Sequence, residues 1–187
     1  MKLVPLALDG VYAVEFEPVR DGRGWFARLW DAELFEAAGL ASRFVQQSAA
    51  WNAKAGTVRG LHFALPPASE AKIVRCVRGA AFDVVVDVRT GSPTFGRHLG
   101  LRLDDEARSA VYVPAGCAHG YQTLADQTEL IYDISEPYRP TADGGIAHDD
   151  PALGIAWPLA VSAISARDAA LPTLARFLDA ASTQARS

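Results

Sequence analysis

The block Gly56-Thr57-Val58-Arg59-Gly60-Leu61-His62-Phe63 sets a guanidinium and an imidazole three residues apart. With a reference pKa of about 6.5, a neutral imidazole can take a proton from an acidified carbon at working pH and later return it. A regular strand would send Arg59 and His62 to opposite faces, whereas a bulge at Gly60 would turn both into one cavity. On chemistry alone, a lone histidine is more often structural than catalytic. Lys72 opens the run Lys72-Ile73-Val74-Arg75-Cys76-Val77 and shares a face with Val74 and Cys76. Its ammonium either stabilises an enolate oxygen left by proton abstraction or snorkels to water from a strand end. His119 follows the turn Pro114-Ala115-Gly116 and either lines a pocket or closes a loop.

Other chemistries lack an anchor. The four histidines, His62, His98, His119 and His148, include no His-x-His pair, so neither a metal nor any other cofactor is expected. There is no Walker loop, no GxGxxG after a strand and no GxSxG elbow, which leaves nucleotide hydrolysis, hydride transfer and ester hydrolysis without a motif. Cys76 and Cys117 sit in apolar runs without CxxC or Cys/His spacing and are expected as buried free thiols.

The elements that must hold these residues are strands. From Val11 to Ser135, short runs rich in Val, Phe, Tyr, Trp and Thr alternate with Gly, Pro, Asp and Asn turns, enough for about nine or ten antiparallel strands. In Phe82–Val88 the residues Phe82, Val84, Val86 and Val88 point one way and Asp83, Val85 and Asp87 the other. The carboxylate face meets either the lumen of a ligand-holding barrel or solvent. In Thr128–Ile134, Tyr132 shares the buried face of Leu130 and Ile134, and its hydroxyl needs a polar partner. The segment 31–39 predicts a short helix over a barrel end or edge, capped by Asp31, stopped by Gly39 and turning Leu34, Phe35 and Ala38 inward. A terminal helix carrying Leu174, Phe177 and Leu178 follows Pro172 and frays over 183–187.

Half of the 187 residues are hydrophobic, which suits one domain spanning 1–187. A net charge of −4, with the two signs interspersed, gives no field that would gather nucleic acid or an anionic membrane. The apolar start is broken by Pro5 and Asp9, and no run reaches membrane-spanning length, so a cytoplasmic protein is expected.

In order along the chain, Asp21-Gly22-Arg23-Gly24-Trp25-Phe26, Val58–Phe63, Lys72–Gly79, Ser92–Gly96, Val113–Gly120, Tyr132, Asp149-Asp150-Pro151 and Ser165-Ala166-Arg167-Asp168 resemble the dTDP-4-dehydrorhamnose 3,5-epimerases and their sugar-nucleotide relatives. The resemblance covers nearly the whole chain. It implies an all-β, double-sheet, cupin-like jelly-roll barrel with a few short peripheral helices. The implied chemistry is isomerisation of a nucleotide-diphosphate sugar. The histidine matching His62 takes a proton beside a 4-keto group, the tyrosine matching Tyr132 delivers one from the other face, Lys72 stabilises the enolate, and Asp168 orients and charges the histidine. Arg59 is similar to a diphosphate ligand, Tyr138 to an aromatic at the nucleotide base, and Gln47 and His119 fall among the substrate-binding residues. Arg23 and Phe26 match residues lent to a neighbouring subunit, implying a homodimer with exchanged edge strands.

The pattern departs at Gln47-Ser48-Ala49, where Gln-x-Asn is frequent, at Arg28, where glutamate is common, and at Ala147 and His148, where Arg and Trp often stand. These leave the base (thymidine, cytidine or guanosine) and the number of inverted centres open. Two rivals stand beside the epimerase: a 3,4-ketoisomerase on the same scaffold, and a non-catalytic sugar-nucleotide-binding protein.

Overall fold

A computed structural model describes residues 1–184 of the chain. The strands begin with β1 (Lys2–Pro5), β2 (Tyr12–Glu15), β3 (Val19–Asp21) and β4 (Gly24–Phe26). After helix α1 (Ala32–Ala37) come β5 (Gln46–Asn52), β6 (Val58–Ala64), β7 (Lys72–Arg78), β8 (Ala80–Asp87) and β9 (His98–Asp104). The series ends with β10 (Ala110–Val113), β11 (Cys117–Thr123), β12 (Thr128–Ile134) and β13 (Asp143–Gly145), then α2 (Ala166–Ala169) and α3 (Leu174–Gln184). Strands β2 to β12 all fall between Val11 and Ser135, more than the pattern predicts, because the three-residue pair β3 and β4 is too short to show alternation.

Two antiparallel sheets face each other. One has the order β1-β2-β10-β7-β12-β5, the other β13-β6-β11-β8-β9, and β3 and β4 form a separate hairpin. The chain changes sheet after β5, β6, β7, β9, β10, β11 and β12, so neighbours in sequence close the two layers into a jelly-roll barrel.

Period-two alternation assigns the two faces of each strand. Val74, Val85, Val111, Tyr121 and Leu130 fill the space between the sheets. Val84 and Val86 point out of the five-stranded sheet and are covered by Ile146, Leu153 and Leu174. Asp83, Val85 and Asp87 therefore face the interior, which decides between lumen and solvent in favour of the lumen. Phe177 of α3 meets Phe63 edge-on at 5.0 Å, as a terminal helix packed on the barrel requires. Its helix runs through Thr183 and Gln184, where fraying was expected, and the rest of that expected tail, 185–187, lies outside the described residues.

Helix α1 starts where the sequence predicts: Asp31 accepts from the Leu34 amide, and Gly39 takes φ +71° just past the end. Its position corrects the expectation of a cover over a barrel end or edge. Phe35 is fully buried against Ile73 and Tyr112 on the outer face of the six-stranded sheet, burial that stabilises by about 1.5–3 kcal/mol, while Ala38 is exposed. Cys76 and Cys117 are buried free thiols. Among the described residues no helix is long and apolar enough to cross a membrane.

Gly120 on β11 has no room for a side chain: a Cβ there would lie 2.6 Å from the Arg59 carbonyl oxygen and 2.8 Å from Leu61 Cδ2. Gly120→Ala is expected to destabilise the fold by about 1–3 kcal/mol through forced backbone movement, read as a lower urea midpoint at unchanged m-value.

Candidate active site

The β6–β11 ladder slips where the sequence predicts a bulge. His119 stands opposite His62 and Tyr121 opposite Arg59, so Gly60 and Leu61 together oppose Gly120. Gly60 adopts φ +109°, and a Cβ there would strike the His119 carbonyl oxygen at 2.7 Å. The extra residue rotates the strand so that Arg59 and His62 line one cavity of about 290 Å³, together with Lys72, His119, Tyr132 and Tyr138.

The imidazole is held from behind. His62 Nε2 lies 2.7 Å from Asp168 Oδ1, and the other carboxylate oxygen accepts from the Gly60 amide at 3.1 Å. With Nε2–H donating to the carboxylate, Nδ1 is left as the acceptor nitrogen of the neutral ring. Burial pulls the His62 pKa below its ordinary value, an effect that Asp168 offsets only in part. Burial pushes the Asp168 carboxyl up, but the Gly60 amide and the His62 ring outweigh it and hold the acid below the usual carboxylate range. The resting pair is thus a neutral imidazole beside a carboxylate.

Tyr132 enters from the opposite sheet. It lines the cavity beside Tyr121, whose hydroxyl donates to Asn52 Oδ1 at 3.2 Å. Burial, with Tyr121 and Asp83 nearby, raises its pKa well above that of a free phenol, so it keeps its proton. Lys72 is directed inward, with Nζ 2.9 Å from Glu70 and a side chain only 10% exposed, so it does not snorkel to water. His119 lies within β11, where Nε2 meets Asp83 at 2.8 Å and the ring stands edge-on to Tyr132 at 5.9 Å. Arg59 Nε donates to Asn52 Oδ1 at 2.9 Å, and the exposed Tyr138 donates to Asp143 at 3.3 Å.

Three expected substrate residues lie elsewhere within one chain. Gln47 does not line this cavity, because β5 turns it outward, where it donates to Asp133 in a groove with Arg75 and Trp30. Arg23 and Phe26 sit on the exposed β3–β4 hairpin, Arg23 paired with Asp21. The sequence reading passed over Glu70, Asn52 and Tyr121. Glu70 shares the parity of Lys72 and Val74, and Tyr121 that of His119, a signal that alternation carried. Among the described residues no three His, Cys, Asp or Glu side chains gather as a metal site requires.

A two-sheet barrel enclosing a histidine–aspartate pair, a lysine and a partly buried phenol belongs to the cupin-like jelly-roll class. A family model described as dTDP-4-dehydrorhamnose 3,5-epimerase matches residues 5–176. The dTDP-4-dehydrorhamnose 3,5-epimerase of Sinorhizobium fredii is 43% identical over 155 residues, 82% of this chain and 80% of that protein. The dTDP-4-dehydrorhamnose 3-epimerase of Streptomyces niveus is 42% identical over 181 residues, 96% of this chain and 87% of that protein. The crystal structure of NovW, a 4-keto-6-deoxy sugar epimerase from the novobiocin gene cluster of Streptomyces spheroides, superposes with a TM-score of 0.92 at 42% identity, covering 97% of this chain and 91% of NovW. The chain belongs to the dTDP-4-dehydrorhamnose 3,5-epimerase family, and with it to the isomerases.

The lowered His62 pKa has a signed consequence. As pH falls below about 6.5, the unfolded histidine takes up a proton before the folded one does, so stability declines until the folded ring also protonates. Asp168 adds stability above the ordinary carboxylate pKa and loses it as pH falls through its depressed folded value. Carbon-13 NMR of the labelled imidazole should show His62 titrating below 6.5 in the native chain, and lower again in Asp168→Asn, which removes the charge that favours protonation.

Proposed function

We propose that the chain epimerises a dTDP-linked 4-keto-6-deoxyhexose at C3, C5 or both, moving protons between side chains without a cofactor. The observation that carries this reading is that His62 on β6 and Tyr132 on β12 line one cavity from opposite sheets. Inversion needs a base on one face of a carbon and an acid on the other. A protein that only bound the sugar nucleotide would not need both in one cavity.

In the proposed cycle His62 Nδ1 takes the proton from a carbon beside the ketone, and the C–H electrons move onto the ketone oxygen as an enolate. Lys72 stabilises that oxygen. Tyr132 then gives its phenolic proton to the opposite face of the same carbon, and the carbonyl re-forms with the centre inverted. Proton return from the imidazolium to the tyrosinate, through solvent, resets the pair. Asp168 stabilises the imidazolium while it lasts and fixes the tautomer that leaves Nδ1 free. Arg59 supplies a guanidinium fork for the diphosphate.

Proton NMR with dTDP-4-keto-6-deoxyglucose in heavy water tests this directly. Native protein should wash out the C3 signal, the C5 signal or both, and His62→Asn and Tyr132→Phe should each slow inversion by about 10²- to 10⁴-fold with unchanged thermal midpoints. A rate unchanged in either variant sinks the role given to that residue.

We also infer a homodimer in which Arg23 and Phe26 complete the partner's cavity. Phe26 is 76% exposed and Val19 73%, a pair of apolar side chains opposite each other on the hairpin, of the kind that marks an interaction surface. Mixing His62→Asn chains with Arg23→Ala chains should restore one working site per mixed dimer, recovering activity that neither variant has alone. No recovery, or a monomer on sedimentation, counts against the exchange.

A further inference from the structure

The cavity contains an acidic side chain that the proton-transfer scheme leaves unused. Glu70 precedes β7, with Oε1 2.9 Å from Lys72 Nζ and a side chain 15% exposed. Withdrawing a carboxylate and an ammonium from water costs more than their attraction commonly returns, and apolar replacements of like volume are often as stable. Stability therefore does not account for the pair. Its location does: Glu70 lines the wall between the cavity of Lys72 and Tyr132 and the small recess beside His62 and Tyr138. The backbone between the two charges is anchored as well. Ala71 donates to Ser135 Oγ and accepts from the Ser135 amide, which ties the start of β7 to the end of the strand that carries Tyr132.

We propose that Glu70 is a positioning residue for Lys72, holding the ammonium inside the cavity at the point where the substrate's enolate oxygen develops. The assignment rests on the epimerase reading above. A lysine has three N–H donors on a flexible four-carbon stem, and without an inward anion the stem extends to water. With one donor turned to Glu70, the others remain for the sugar oxygen. That oxygen is a neutral ketone in the bound substrate and an anion only along the reaction, so a correctly held ammonium accelerates the chemical step more than it tightens binding.

The test is a double-mutant cycle on the full-length chain with Glu70→Gln, Lys72→Met and the two combined, following C3 and C5 exchange of dTDP-4-keto-6-deoxyglucose in heavy water. Glu70→Gln keeps the shape and removes the charge. It should lower kcat about tenfold and leave KM within about twofold. Lys72→Met should cost about a hundredfold, and adding Glu70→Gln to it should cost nothing more, since no ammonium remains to be held. The double variant carries neither buried charge and should keep the native thermal midpoint, so the cycle stays readable even if a single variant folds poorly. An unchanged or raised kcat in Glu70→Gln, a change confined to KM, or additive losses in the double variant each overturn the assignment while leaving the epimerase reading intact. A native chain that exchanges neither proton overturns both.

Discussion

The Asp168 carboxylate binds two groups at once, the His62 ring through one oxygen and the Gly60 amide through the other. The second bond matters as much as the first. Gly60 sits where the β6–β11 ladder slips, and a backbone amide buried at such a point needs a partner. One side chain therefore holds the bulge and the ring that the bulge redirects. Helix α2 has four residues, and its N-cap, Ser165, accepts from the Asp168 amide at 3.0 Å, so the helix aims a carboxylate more than it packs a core. His62 and Asp168 are 106 positions apart, and the C-terminal segment that carries Asp168 lies across the outer face of the five-stranded sheet. It covers Val84 and Val86 and delivers Asp168 in the same course.

Strand β8 shows how one barrel interior supports both a core and a reaction site. Its two inward carboxylates have different surroundings. Asp87 is fully satisfied: burial pushes it up, but Arg89, Ser92 and Thr94 prevail and hold it far below the usual carboxylate range, so it staples a turn. Asp83 gives one oxygen to His119 and keeps the other without a hydrogen-bond partner. Val85 between them belongs to the apolar cluster. The lumen thus grades from a saturated polar end, through an apolar middle, to a polar end open to ligand.

Local spacing made the strand faces legible. Alternation in Phe82–Val88 separated the outward valines from the inward acids, and the same rule placed Tyr132 with Leu130 and Lys72 with Val74. Gly60 between Arg59 and His62 announced the bulge, because glycine in a strand marks either a kink or a close backbone approach, and here it marks both. Long-range partners left no such trace. Asp168 looks like a solvated helix-start residue until β6 is folded beneath it, and Glu70 looks like a loop acid after Pro66 and Pro67. The direction of Gln47 was hidden for a related reason. A resemblance carries residue identity, but the side on which β5 presents Gln47 depends on register with β12, where it pairs with Asp133 and turns outward.

The charges around the cavity follow a pattern that alternation alone would not produce. Lys72 is paired with Glu70, and Arg167 with Asp143 at 2.7 Å, so each of these cations meets a ligand already partly neutralised. Arg59 is held by neutral groups, Asn52 Oδ1 and the Trp51 carbonyl oxygen, which orient the guanidinium without cancelling its charge. A guanidinium fixed in this way offers its remaining N–H groups, and nearly its whole field, to an incoming anion. In the proposed cycle the paired lysine has a different task, because its attraction must be modest toward a neutral ketone and strong toward the enolate that replaces it. On the proposed cycle Arg59 binds and Lys72 responds, a difference that follows from whether the nearest oxygen is an amide or a carboxylate.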